Sequence, residues 1–267
     1  GNKSPYIEPC IVLLSDTEGI QALLPFGIQL KLGIRVLCLL GEGQSDYQTP
    51  IFTAKGSKWL QKIDCWQKFL EILPDFDVIH LKQIPKELVN DNLVNLGVVK
   101  KFVTNQAYVA ELPLNWERYQ KCLTTKIKAD SRRQRKRLCE FGELRFEILE
   151  TNSEKAKIVF ESFFKQKRAR YQSTGAMDIL ASDEVRNFYS EMPRELGGDS
   201  KTHFTALWLD EKVLATHWGA VDSKRFYYLM PTFSEEWARF SPGRLLLEHL
   251  LQWSIVHGLN TFDFTIG

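Results

Sequence analysis

Apolar positions in the second half of the chain fall into short alternating runs followed by one long helical stripe. HFTALWL (203–209), VLATHWGAV (213–221) and RFYYLM (225–230) read as a meander of strands joined by the turns DEK and DSK. Leu245, Leu246, Leu250, Trp253 and Val256 then recur at helical spacing, which predicts a buried amphipathic helix over 241–257. Ser241 suits its N-cap, Pro242 its first turn and Gly258 its C′ position. TFDFT (261–265) alternates as a further strand, with Phe262 and Phe264 on one face and Asp263 on the other. Upstream, 143–150 reads as a strand, 153–170 and 182–191 as helices, and the polar stretch 168–178 as a loop that could line an acceptor cleft through Arg168, Arg170 and Tyr171.

The first half has a similar order. CIVLLS (10–15), RVLCLLG (35–41) and YQTPIFTA (47–54) predict strands, and Asp16 or Thr17 could cap a short helix over EGIQALL. Apolar residues from Trp59 to Leu73 predict one helix over 58–73, which Pro74 stops. DVIHL (77–81) follows as a strand, 85–93 as a short helix, and 97–103 with 107–112 as a closing hairpin. Each half therefore holds three strands, a helix and a strand.

Composition changes this picture little. The chain has 267 residues, 44% hydrophobic and 25% charged, which describes a globular protein with ample core. No apolar run approaches the roughly 20 residues that span a bilayer. The N-terminus does not read as a signal peptide. Five cysteines without CxxC spacing point to a reduced, cytoplasmic protein with no metal site. Charge distribution says more than the net charge of +2: Lys121 to Arg137 holds eight basic residues against Asp130 alone. Such a helix could meet phosphates or an anionic membrane surface, or simply be a solvated linker. No nucleic-acid reading module accompanies it, so specific DNA binding is not expected.

The runs FSPGRLL (240–246), HGL (257–259) and FDF-(x2)-G (262–267) resemble the GNAT acyltransferase superfamily, in particular its CelD-like branch of cellulose-biosynthesis and GNAT-family acetyltransferases. The resemblance implies an α/β fold of mixed sheets, two tandem GNAT-like halves over 1–123 and 143–267, with the basic helix 124–142 between them. It implies acetyl-CoA or another acyl-CoA as cosubstrate, no metal, and an amine of a small molecule or sugar precursor as acceptor. The pyrophosphate is expected at Ser241, Pro242, Gly243 and Arg244, where a helix N-terminus offers amides and a partial positive charge. Gly243 would allow close approach, although Pro242 removes one donor.

Acyl transfer to an amine needs a base, and it can use an acid for the departing thiolate. The candidates are His217, Asp263 and Tyr228. His217 alternates with Ala215 and Gly219 and could border a cleft, or be a hydrogen-bonded core residue. Asp263 is costly to bury without a partner and could be catalytic, or bind a turn or an arginine. Tyr228 is preferred to Tyr227 because Phe226 and Met230 share its side. Two other readings stay open: a Fem-type transferase using aminoacyl-tRNA, served by the basic helix, and a non-catalytic binding protein with the same fold.

Overall fold

A computed structural model describes residues 7–41, 44–85, 106–192 and 195–266. Two compact units result, Gly1–Thr104 and Asn105–Gly267. In the first, β1 (Ile7–Asp16), β2 (Gly19–Lys31) and β3 (Ile34–Leu39) form an antiparallel meander, with β4 (Ile51–Phe52) beside β2. Helices α1 (Ala54–Leu60) and α2 (Ile63–Ile72) lead to β5 (Val78–Ile79), which runs parallel to β3. Leu24, Phe26, Leu37 and Leu39 of the sheet pack with Leu60, Trp66 and Phe69 of the helices.

Several local expectations give way here. Gly19–Leu24 of EGIQALL belong to β2 and not to a helix. Asp16 accepts the Glu18 N–H (2.8 Å) and Gly19 takes φ +116°, so the chain turns back on itself. Pro25, directly after that run, is accommodated within the strand and could not have continued a helix. The strand over 47–54 shrinks to two residues. The single helix over 58–73 is two helices, because the Trp66 indole N–H takes the Leu60 carbonyl (2.6 Å), an acceptor that a continuous helix would use itself. The helix expected at 85–93 and the 97–103 arm of the hairpin lie outside the described residues, apart from position 85.

In the second unit β6 (Val109–Glu111), α3 (Trp116–Cys122), α4 (Thr125–Cys139), β7 (Leu144–Leu149), α5 (Glu154–Thr174) and α6 (Asp183–Glu191) precede the meander. The meander is β9 (Ser200–Leu209), β10 (Lys212–Val221) and β11 (Arg225–Phe233), with the short β8 (Glu195–Gly197) beside β9. A 3₁₀ turn (Glu235–Phe240), α7 (Pro242–Val256) and β12 (Thr261–Asp263) complete it. The sheet order is β6-β12-β11-β10-β9-β7, with only the β11/β12 pair parallel. On one face Leu207, Phe226 and Phe262 pack under Leu245, Leu246 and Leu250 of α7. On the other Phe204, Ala206 and Trp218 pack with Phe160, Phe163 and Tyr189 of α5 and α6. Both units thus share a three-stranded meander, a helix, and a strand parallel to the third.

The 109–111 segment pairs with β12, Ala110 opposite Phe262. That segment belongs to the second compact unit, Asn105–Gly267. The 168–178 loop is mostly helix: α5 continues to Thr174 and closes on Gly175 at φ +69°, and Arg168 is ion-paired to Asp178 at 2.8 Å. At the end of α7 the buried position is Ile255, while Val256 faces solvent.

Candidate active site

The organising feature is a parting of two parallel strands. β11 and β12 pair from Arg225/Thr261 to Tyr227/Asp263 and no further. Beyond Asp263 the chain follows residue 108 instead: Phe264 N–H donates to the Tyr108 carbonyl (2.8 Å), and Tyr108 N–H to that of Thr265 (3.0 Å). Thr265 takes φ +57°, and so β12 ends at 263, short of the expected 265. β11 runs on to Phe233, paired among the described residues with β10 alone, which leaves residues 228–233 with one open edge there. At the same level β11 bulges. Trp218 faces Met230 but Ala220 faces Tyr227, so Tyr228 and Leu229 together oppose Gly219. The strand read from sequence stopped at Met230. Pro231, a residue that sheets tolerate at an open edge, was the available signal for both the extension and the gap.

Tyr228 is the first β11 residue past the last pairing with β12. Its ring stacks on His217 (centroids 4.8 Å apart, planes 5° apart) and meets Phe262 and Phe264. Burial pushes its phenol well above the ordinary value, so it stays protonated at neutral pH. His217 is fully buried, and neither ring nitrogen has a hydrogen-bond partner among the described residues. Burial, then the nearby His203 and Lys167, hold it well below the usual imidazole range. Its neighbour Gly219 makes room for the imidazole itself: a Cβ there would stand 2.4 Å from both the ring Cε1 and the Tyr227 carbonyl. From α5, Lys167 donates to the Pro231 carbonyl (3.2 Å), placing a cation beside the open stretch of β11.

Asp263 is fully buried at the other side of the parting. It accepts from Arg225 Nη1 (3.1 Å) and from the Thr265 N–H (2.8 Å). Both alternatives foreseen for it, an arginine and a turn, occur together, which makes it the group that turns β12 away from β11.

The helix end is less open than its sequence suggests. Ser241 takes φ +53° and its side chain caps nothing. Its carbonyl instead accepts the amides of Arg244 (3.1 Å) and Leu245 (3.2 Å). With Pro242 lacking an N–H, Gly243 keeps the first-turn amide that a phosphate could meet. A Cβ on Gly243 would come 3.1 Å from Phe233 Cδ1, so that side of the glycine is lined by a ring. Arg244 points to α4, where its Nη2 pairs with Asp130 at 2.5 Å. Asp130 also pairs with Arg133; burial raises its pKa, but the two arginines outweigh that and hold the carboxyl below its ordinary value. The predicted residues thus form three groups: His217 with Tyr228 at the parting, Asp263 behind it, and 241–244 at the start of α7.

Two solved structures share the fold. The C-terminal domain of an Agrobacterium fabrum protein described as a lysylphosphatidylglycerol synthetase superposes with a TM-score of 0.61 at 15% identity, covering 97% of this chain and 71% of that one. FemX superposes with a TM-score of 0.62 at 11% identity, covering 98% and 80%. At these identities the likeness is one of fold, and it extends over both units. No curated protein sequence matches the chain. Among the described residues no helix is long and apolar enough to cross a membrane. Residues 125–267, more than half of the chain, match the acetyltransferase (GNAT) domain family, whose members generally use acyl-CoA. With its mixed sheet parted between β11 and β12, the chain belongs to that GNAT family and is an acyltransferase.

Proposed function

We propose that the protein transfers an acetyl or other acyl group from coenzyme A to the amine of a small molecule or sugar precursor. The parting of β11 from β12 carries this reading. An extended pantetheine arm can lie along the open edge of residues 228–233 as an added strand would, with its pyrophosphate near the Gly243 amide. The amine attacks the thioester carbonyl, a C–N bond forms and the C–S bond breaks. The amine's proton passes to solvent, and the Tyr228 phenol supplies one to the departing thiolate. His217, sealed and neutral, positions the Tyr228 ring by stacking, and Asp263 keeps the parting open. The FSPGRLL and FDF runs favour the CelD-like branch, and free cysteines fit a cytoplasmic setting.

Tyr228→Phe keeps the stacked ring and removes the proton. Its kcat for acetyl transfer is expected to fall roughly 10²- to 10⁴-fold with acetyl-CoA affinity unchanged. An unchanged kcat rules Tyr228 out as the acid.

A second reading, aminoacyl transfer from tRNA, is favoured by one observation: Lys126, Arg132, Lys136 and Arg137 of α4 are exposed. Salt-sensitive tRNA binding without thermal stabilisation by acetyl-CoA would support it instead.

A further inference from the structure

Two guanidinium groups converge on one ring just before α7. Arg137, in the last turn of α4, stands 5.1 Å from the Phe240 ring centroid, and Arg239 stands 4.7 Å from it. The two groups are thus no farther apart than the sum of those distances. Phe240 is 1% exposed and wedged edge-on against Phe141 (5.5 Å) and beside Trp237 (5.7 Å), so it is a fixed platform. Both arginine side chains are exposed. Neighbouring arginines have anionic partners: Arg133 and Arg244 share Asp130. Among the described residues no carboxylate pairs with Arg137 or Arg239. Holding two unneutralised cations together costs Coulomb energy, which an anion between them would offset. The family match begins at Thr125, the first residue of α4, so this helix belongs to the domain and is more than a linker.

Both guanidinium groups sit against Phe240, the residue directly before Ser241, and Arg239 lies two residues before Ser241 in the chain that leads to the place proposed for the pyrophosphate. In coenzyme A a phosphate monoester sits on the ribose next to that pyrophosphate. Its oxygens suit two guanidinium forks. We infer that Arg137 and Arg239 form a phosphate-monoester subsite that reads the 3′-phosphate of the acyl donor. The protein then selects coenzyme A over 3′-dephospho-coenzyme A. This inference rests on the acyl-CoA reading given above.

The test is calorimetric titration of the full chain with coenzyme A and, separately, with 3′-dephospho-coenzyme A. The protein should bind the first roughly 10- to 100-fold more tightly. Replacing both residues, Arg137→Gln and Arg239→Gln, keeps side-chain stems over Phe240. The double variant should lower coenzyme A affinity to the dephospho level and leave dephospho affinity where it was. Equal binding of the two ligands by the parent overturns the inference, as does a double variant that keeps the preference. If the double variant loses only its binding to a short RNA duplex, the pair serves a polynucleotide and the inference fails. Should neither ligand bind the parent, the acyl-CoA reading itself has failed, an outcome distinct from the others.

Discussion

Asp263→Ala is expected to destabilise the second unit by about 3 kcal/mol, because it removes a buried carboxylate that two groups depend on. The Thr265 N–H would lose its acceptor in a site where Thr265 itself is buried, and Arg225 would lose its partner. Arg225 is 41% exposed and can turn to water, so the cost stays below that of a fully buried cation. For a unit of this size the melting midpoint should drop on the order of 10 °C. Asp263→Asn should lose less, since its amide oxygen can still accept from Thr265. The pair of variants separates structure from chemistry. If Asp263 only shapes the parting, activity follows the folded fraction in both. A stable Asp263→Asn protein with kcat reduced a hundredfold would make Asp263 a base.

Acid should weaken the fold well before the carboxylates titrate. His249 is stacked on Phe146 at 4.9 Å, and burial, then Arg135, lowers its pKa to about 4 from an ordinary 6.5. Folded, it stays neutral while the unfolded chain takes up a proton. Its contribution is therefore complete above pH 6.5, declines as pH falls toward 4, and is gone below that. The span corresponds to on the order of 2–3 kcal/mol. His217, which burial also holds well below the usual imidazole range, acts in the same direction. Asp130, held below its ordinary value, adds a loss only once its own carboxyl protonates. Urea midpoints at pH 7, 5.5 and 4 check this, and His249→Phe should flatten the decline. A midpoint that does not move between pH 7 and 5 contradicts it.

Much of the fold was legible because burial imposes its period on the sequence. The β9–β11 meander, α7 and the strand after it follow alternation and helical spacing, with ends displaced by up to three residues. Elements fixed by single polar or backbone events were harder. The turn at Asp16 to Gly19 and the indole bond of Trp66 each override a local apolar pattern. β6 could not be placed from sequence, since its partner Thr261–Asp263 lies some 150 residues downstream. For the site, residue types were visible but their company was not. Nothing in the spacing shows that Gly219 houses the His217 ring, that Gly243 faces Phe233, or that Arg244 turns to Asp130. The open edge of β11 depends on where β12 departs, which is a matter of tertiary pairing. Pro231 was its one trace in the chain.

The central claim is that the open edge of β11 holds the acyl donor, and amide hydrogen exchange with and without acetyl-CoA tests it most directly. Binding should slow exchange across 228–233 and at Gly243, leaving the paired stretch 225–227 as protected as before. Protection that appears elsewhere while the 228–233 amides exchange unchanged would contradict the account.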